Sequence, residues 1–133
     1  LDAELAKAMM GVNAVKAVEI GAGANVVNMR GSGNRDLMVK AGFLSNNSGG
    51  ILGGISNGED IDIYVSLKPT SSISQKTTTV NKDNEEVDLQ VKGRHDPCVG
   101  LRAAPILEAM AALCILDQVL LDKGQCFNVD RDS

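Results

Sequence analysis

The most constraining feature of the sequence is the long apolar stretch formed by residues 105–123. Pro105 suits the first turn of a helix and Gly124 suits its end, so the stretch is predicted to be one helix. Its apolar side chains occupy more than one helical stripe: Ile106, Leu107, Met110, Leu113, Cys114, Ile115, Leu116, Val119, Leu120 and Leu121. Such a helix needs cover on two sides, so we expect it to be buried between sheets. The polar residues 124–133 are expected to form a frayed tail.

The first part of the chain is predicted to contain a helix followed by short strands. Asp2 can cap a helix that runs to about Val15, because apolar residues recur there at helical spacing. Residues 16–20 and 25–29 are β-like runs on either side of a glycine-rich break. Residues 30–50 are rich in Gly, Asn and Ser and are predicted to form a long exposed loop, which in proteins is usually functional or disordered.

A β-hairpin is predicted next in the chain, from residues 49–56 and 61–67. The Asn57-Gly58 pair between them tolerates positive φ and is typical of a hairpin turn. The polar residues 71–84 are predicted to be a connection, and residues 85–91 alternate as a strand whose inward side chains are Val87, Leu89 and Val91. Strands and helices without regular βαβ alternation indicate an α+β fold, in which antiparallel β-sheets pack on helices.

Composition limits the class of protein to a small acidic domain. At 133 residues the chain is long enough for one domain with a core and too short to expect two. Aromatic residues make up 2% of the chain, so aliphatic side chains must build that core. The formal net charge of -4 offers no basic face for a nucleic-acid backbone, so we expect no nucleic acid as a partner.

The number and spacing of the cysteines and the length of the apolar runs indicate the cellular compartment. Cys98, Cys114 and Cys126 are odd in number, lack the paired short spacing of a zinc site and follow no signal peptide. We therefore expect a cytoplasmic protein without a bound metal. The nearly uncharged run at residues 109–116 is shorter than the roughly 20 residues that span a bilayer, so no membrane contact is expected.

The common nucleotide-binding and nucleophile motifs fit poorly. Gly21-Ala22-Gly23 is followed by Val26 where a dinucleotide fingerprint has its third glycine, so a Rossmann site is not predicted. No phosphate loop ending in Gly-Lys-Ser/Thr is present in the sequence. His95, close to Cys98, would suit a Cys-His nucleophile or a metal, but sequence neighbours seldom face each other in the needed geometry.

Three other segments have compositions that serve no obvious packing purpose. Residues 45–56 place four glycines in a strand-forming stretch, which lets another group approach the backbone closely. Residues 67–73 end a strand with a lysine and three hydroxyls, which are donors for a phosphate or a polar ring edge. Residues 93–105 set Arg94 and Asp96 on a turn before the apolar helix, where Arg can bind an anion and Asp can handle a proton. Taken singly, each also fits a tight turn, a strand end or a local ion pair.

The third segment is similar to the C-terminal signature of chorismate synthases over residues 93–110, which read Gly-Arg-His-Asp-Pro-Cys-Val-Gly-Leu-Arg-Ala-Ala-Pro-Ile-Leu-Glu-Ala-Met. Residues 12–16, 45–54 and 68–73 also resemble motifs of this family, in the family's order and spacing. The resemblance implies that residues 1–133 are the C-terminal portion of a β-α-β sandwich enzyme more than twice as long.

The resemblance also implies an activity. The family eliminates phosphate from 5-enolpyruvylshikimate 3-phosphate by a 1,4 elimination that gives chorismate, in the shikimate pathway of aromatic amino acid biosynthesis. The reaction requires reduced FMN, which some members reduce with NADPH, and the family assembles as homotetramers. A fragment that lacks the N-terminal part is expected to be inactive. The alternative is a non-catalytic module for FMN binding or oligomerisation.

Site residues are carried over from the family motifs in the same way. Flavin contacts are implied at Asn13, Ala14, Gly53, Lys68, Pro69, Thr70, Ser71, Ser72 and Arg94. Asp96 is the implied catalytic residue near the reactive flavin nitrogen, with Arg94 near the substrate. His95 occupies a position where other members often have Ser, so it is a poor catalytic candidate.

Overall fold

The structure is a computed structural model that describes residues 1–126. In chain order its elements are α1 (Asp2–Met10), β1 (Val15–Ile20), a 3₁₀ helix (Gly23–Asn28), β2 (Met38–Val39), β3 (Gly42–Phe43), β4 (Ile51–Leu52), β5 (Ile55–Ser56), β6 (Ile63–Leu67), β7 (Thr77–Val80), β8 (Glu86–Leu89) and α2 (Gly100–Gln125). The strands pair as four two-stranded antiparallel sheets: β1 with β6, β2 with β3, β4 with β5 and β7 with β8. The predicted α+β class is confirmed.

The core lies where α1 packs against α2 and β1. Leu5 and Met9, one helical turn apart, are buried on the inner face of α1, and Val15 is buried at the start of β1. Ile51 and Ala103 complete the set of buried hydrophobic residues among those described. The core is therefore aliphatic, as the low aromatic content predicts.

The first helix is shorter than predicted and has a different cap. It ends at Met10 rather than near Val15, because Gly11 follows and the chain turns before β1 begins. Leu1 occupies the N-cap position, and no side chain caps the helix there. Asp2 lies inside the first turn, where its carboxylate accepts a hydrogen bond from the amide of Ala3 at 2.8 Å and opposes the helix dipole.

The main sheet joins segments that are far apart in sequence. β1 and β6 pair antiparallel, with Val18 opposite Val65, and a bulge interrupts the register near the start of β1. The hairpin predicted around Asn57-Gly58 is wrong, because β4 and β5 instead form their own hairpin. Its turn is Gly53-Gly54, where both residues have positive φ, at 60° and 83°. In the Asn57-Gly58 pair, by contrast, Gly58 alone has a positive φ, so the pair does not adopt the two-residue turn with positive φ at both positions.

The segment after β1 also differs from the prediction. Residues 25–29, predicted as a strand, lie mostly in the 3₁₀ helix, because Gly21 and Gly23 adopt positive φ and turn the chain away from the sheet. The predicted loop of residues 30–50 is largely irregular and contains the short β2–β3 pair.

The predicted connection at residues 71–84 contains β7, which pairs with β8 in a ribbon. The strand predicted at residues 85–91 is confirmed as β8. Its side chains do not face the core, since Val87, Leu89 and Val91 are exposed. No helix or other strand among residues 1–126 packs on the ribbon closely enough to cover them.

The apolar helix is longer and less covered than predicted. α2 begins at Gly100 and continues to Gln125, so Pro105 lies inside it and Gly124 does not end it. The prediction that α2 is buried is wrong for the described chain, where Ala103 is its one buried residue and Leu113, Leu116 and Leu120 are more than half exposed. α1 covers one side of the helix, and no element of residues 1–126 covers the others. Of the predicted tail, residues 127–133 lie outside the described residues.

α2 is also long and apolar enough to cross a membrane, by length and composition alone. The core helix of a soluble protein passes the same test. Acidic residues at Glu108, Asp117 and Asp122 interrupt its sequence. The absence of membrane contact therefore stays a prediction.

Candidate functional site

The turn between α1 and β1 brings two of the predicted site residues to the end of β6. Ala14 has a φ of 74°, a left-handed conformation that costs a non-glycine residue of order 1 kcal/mol. In this conformation its carbonyl accepts a hydrogen bond from the Lys68 amide at 2.8 Å. Asn13 and Ala14 are thereby fixed beside the predicted lysine at the strand end.

The chain after β6 is joined in turn to the predicted catalytic segment. The hydroxyl of Thr70 donates a hydrogen bond to the carbonyl of Asp96 at 3.1 Å. A small cleft of about 300 Å³ lies between the two segments and is lined by Leu67, Lys68, Pro69, Thr70, Pro97, Cys98, Val99 and Gly100. Two hydrogen bonds therefore connect Ala14, Lys68, Thr70 and Asp96 into one continuous surface.

Asp96 lies between two guanidinium groups. Its Oδ1 is 4.0 Å from Nη2 of Arg94, and its Oδ2 is 3.4 Å from Nη1 of Arg102. Arg94 is 83% exposed and Arg102 65%, so both retain donors that face solvent and can bind a phosphate or carboxylate. The role of Arg102 was missed by sequence reasoning, although it lies within the same motif and at the start of α2.

A large cleft opens beside this surface, between α1 and α2. Its volume is about 810 Å³, within the range of small-molecule sites. The polar residues that line it are Glu4, Lys7, Asn13, Asp96, Arg102 and Asp117. Its apolar lining includes Val12, Ala14, Leu67, Val99, Ile106, Met110 and Leu113. A cleft that combines an apolar wall with polar side chains is suited to a flat organic ring that carries polar groups.

Cys114 also lines the large cleft but is not an activated thiol. Burial, with smaller effects from the negative charges of Glu4 and Asp117, raises the pKa of the Cys114 thiol. A raised pKa keeps the neutral form at physiological pH, and the neutral thiol is a poor nucleophile.

The alternative based on His95 gains no support. Its Nε2 is shielded from solvent and has no hydrogen-bond partner among residues 1–126, so it makes no bond to Cys98. In the same described part of the chain, no three His, Cys, Asp or Glu side chains are grouped to hold a metal.

Gly53 is not brought to this surface. Its neighbour Gly54 accepts a hydrogen bond from the amine of Leu1 at 2.9 Å, at the start of α1, whereas Asn13 and Ala14 follow the end of that helix. The nine residues of α1 span roughly 13 Å at 1.5 Å per residue. Ser71 and Ser72 are exposed beyond Thr70. Gly53 therefore lies apart from the surface that contains Lys68 and Asp96, and its flavin contact stays a prediction.

A further acidic residue, absent from the sequence prediction, organises the loop before β4. Asp36 accepts hydrogen bonds from the Ser45 hydroxyl at 2.6 Å and from the amides of Asn47 and Ser48 at 2.7 and 2.8 Å. Burial alone would raise the pKa of Asp36, but these hydrogen bonds outweigh burial and lower it to about 2. Asp36 gives no sequence signal beyond lying in a loop rich in Gly, Ser and Asn.

Comparison with known proteins places this geometry in a family. The model of the family described as chorismate synthase matches residues 1–120. The chain belongs to the chorismate synthase family. A crystal structure of a chorismate synthase has 39% sequence identity to the chain and a TM-score of 0.50, over 53% of this chain and 23% of that one. The chain thus corresponds to a minor part of that chorismate synthase, and the resemblance inferred from residues 93–110 is confirmed.

Proposed function

We propose that this chain is part of a carbon–oxygen lyase, a chorismate synthase that converts 5-enolpyruvylshikimate 3-phosphate to chorismate with reduced FMN. The proposal is carried by one observation. The hydrogen bonds from Lys68 to Ala14 and from Thr70 to Asp96 join residues of three family motifs across two adjoining clefts. Ala14 and Asp96 line the cleft of about 810 Å³, and Lys68 and Thr70 line the cleft of about 300 Å³. Binding across these two clefts would place a ring against apolar walls and its phosphate among cationic and hydroxyl donors.

The residues present fit a flavin. The apolar walls of the cleft suit an isoalloxazine ring, and the exposed Lys68 can offset the charge of a phosphate. The proposed contacts are Asn13, Ala14, Lys68, Pro69, Thr70, Ser71, Ser72 and Arg94. Gly53 remains a proposed contact, since its turn is open enough for a group to approach the backbone: a Cβ added there would meet no atom within 4 Å. Gly53 lies near the start of α1, whereas Lys68 lies beyond its end. One flavin would contact both residues only if its ring and tail together spanned the length of that helix.

The chemistry divides between the cofactor and the side chains. Reduced FMN, when bound, would supply electron density as the C–O bond to phosphate breaks. We assign Asp96 to hold the proton that leaves the substrate ring, at a carboxylate oxygen kept in place by its two arginine neighbours. Arg94 and Arg102 would bind the anionic groups of the substrate. The products are then chorismate, inorganic phosphate and the released proton, with no net redox change.

The activity belongs to a longer protein in this proposal. The chain matches 23% of the length of the related structure, and the outer faces of α2 lack cover within residues 1–126. We therefore propose that a further portion completes the substrate site, in a cytoplasmic homotetramer. The test is turnover with reduced FMN and 5-enolpyruvylshikimate 3-phosphate under anaerobic conditions. Chorismate should form with the longer protein and not with residues 1–133 alone, and turnover by this chain would refute its incompleteness.

Replacing the proposed proton acceptor tests the catalytic assignment. In the longer protein, Asp96→Ala should lower kcat by roughly 10²- to 10⁴-fold, the usual contribution of a positioned acid or base. FMN affinity, measured by quenching of flavin fluorescence, should change far less. Asp88→Ala, which alters an exposed carboxylate on the β7–β8 ribbon, is the matched control and should keep normal turnover. Near-normal turnover of Asp96→Ala would remove the assignment.

The second candidate is a non-catalytic module for FMN binding or oligomerisation. The exposed leucines of α2 favour it, since large apolar patches of this kind mark interaction surfaces. Sedimentation and flavin titration of residues 1–133 separate the two candidates. An oligomer that binds FMN, from a parent protein that forms no chorismate, would favour the module.

A further inference from the structure

We propose that Asp36 is a positioning residue for the cofactor. Asp36 holds residues 45–50, the last part of the loop of residues 31–50, so that the Gly53-Gly54 turn keeps the shape that a flavin contact needs. This inference rests on the proposed function. Asp36 touches neither the large cleft nor the Asp96 surface. It would act through the loop, and its effect should appear in cofactor affinity.

The carboxylate of Asp36 uses both of its oxygens on one short segment. Oδ1 accepts bonds from the hydroxyl of Ser45 and the amide of Asn47, and Oδ2 accepts one from the amide of Ser48. Hydrogen bonds to an ionised acceptor are about twice as strong as those between neutral groups. The three donors lie within four consecutive residues, so one charged group fixes the path of the chain there.

The same segment is fixed to the start of the β4–β5 hairpin. The side chain of Asn46 accepts a bond from the amide of Gly50 at 2.6 Å and donates to the carbonyl of Asp60 at 2.9 Å and to Asp62 at 3.1 Å. The carbonyl of Gly50 in turn accepts from the amide of Asn57 at 3.0 Å. The position of Gly50 thus follows from the loop, and Gly53 lies three residues further along.

The loop is also pressed against the chain after β1. The carbonyl of Asn47 accepts a bond from the amide of Ala22 at 2.8 Å, and the backbones of Gly21 and Gly49 touch. A Cβ at either glycine would overlap the other segment, so this contact tolerates no displacement toward the sheet. The loop is therefore held by backbone contacts to the chain after β1 and, separately, by the three hydrogen bonds to Asp36.

Apolar burial gives the loop little other support. Among residues 31–48 no side chain is buried, and Ile51 is the first apolar side chain after it to reach the core. Order in this segment therefore depends on polar contacts, of which Asp36 accepts three. Without them the loop would sample several conformations, and FMN binding would have to select one of these at a cost in affinity.

The test uses the complete chorismate synthase that contains this chain. Asp36→Asn keeps the size of the side chain but replaces one acceptor oxygen with an amide that cannot accept from Ser48. We expect the Kd for FMN to rise roughly tenfold, equivalent to about 1.4 kcal/mol. KM for the phosphorylated substrate at saturating FMN should stay within about twofold, whereas a variant that distorted the substrate site would raise it. Asp36→Glu, which keeps the carboxylate, should recover part of the affinity, and Asp88→Asn on the exposed ribbon should match the wild type.

A second readout does not depend on the function. Hydrogen exchange of the Asn47 and Ser48 amides should accelerate in Asp36→Asn, whether or not flavin is bound. If Asp36→Asn does not fold, Ser45→Ala decides, since it removes one of the three donors and should raise the Kd for FMN by about threefold. Unchanged FMN affinity in the variant that folds would overturn the inference. A wild-type enzyme that neither binds FMN nor forms chorismate would overturn the proposed function instead, and the exchange data would still show whether Asp36 anchors the loop.

Discussion

The unit formed by α1, β1 and β6 and the loop of residues 31–50 are held by different forces. The unit buries Leu5, Met9 and Val15, and its order comes from apolar packing and strand pairing. The loop buries no side chain between residues 31 and 48 and is ordered around one carboxylate, Asp36. The unit should therefore respond to lost volume at any pH, whereas the loop should respond to lost charge. The proposed site uses both regions, since Lys68 follows the unit and Gly53 follows the loop.

The largest expected effect comes from removing volume in the packed unit. Leu5 is fully buried, so Leu5→Ala should lower the free energy of unfolding of residues 1–133 by about 2–5 kcal/mol. Urea unfolding followed by circular dichroism measures this loss. Leu120→Ala is the matched control, because Leu120 is 58% exposed on α2, and it should change stability by less than about 0.5 kcal/mol. Equal losses at both positions would mean that the chain associates in solution and covers α2.

The contrast between the two regions also explains what could be predicted from the sequence. Apolar spacing correctly indicated the inner face of α1, with Leu5 and Met9, and the strand β1 within one residue of its start. Both depend on periodicity, which is visible in the chain itself. The structure also joins the segments that carry Asn13, Ala14, Lys68 and Asp96, whose roles as site residues stay predictions.

The failures share a different cause. Asn57-Gly58 and Gly53-Gly54 are both acceptable hairpin turns, and the choice between them depends on the pairing of β6 with the distant β1. The burial of α2 was inferred from its own apolar faces, but burial needs covering elements that residues 1–126 do not supply. Asp36 acts through bonds to a segment about ten positions away, and such bonds have no periodic signal.

The second-largest expected effect is a pH dependence of the folding stability, which should arise from the loop and not from the packed unit. The pKa of Asp36 is lowered to about 2 in the folded chain, below its ordinary value of 3.8, so the carboxylate stabilises the fold above that ordinary value. This contribution should be lost as the pH falls through the folded pKa. After allowance for solvent screening it amounts to roughly 1 kcal/mol.

Urea midpoints between neutral pH and about pH 2 measure this effect. Asp36→Asn should be less stable than the wild type at neutral pH, and the difference should shrink between about pH 4 and pH 2 as the wild-type carboxylate is protonated. The urea midpoint of Leu5→Ala should instead stay below that of the wild type by a constant amount across the same pH range. If the difference in stability between Asp36→Asn and the wild type did not change with pH, the charge of Asp36 would not be what holds the loop.

The smallest effect concerns a polar contact without burial, the ion pair of the β7–β8 ribbon. Lys76 Nζ lies 2.6 Å from Asp88 Oδ2, closer than most of the bonds around Asp36, but the two side chains are 67% and 54% exposed. Exposed ion pairs contribute little to stability because water and salt screen them. A double-mutant cycle of Lys76→Ala and Asp88→Ala should therefore give a coupling energy below about 0.5 kcal/mol. This coupling should decrease further when salt is added. Distance alone thus does not decide the strength of a polar contact in this chain. A coupling well above that value, resistant to salt, would show that another surface shields this ion pair from water.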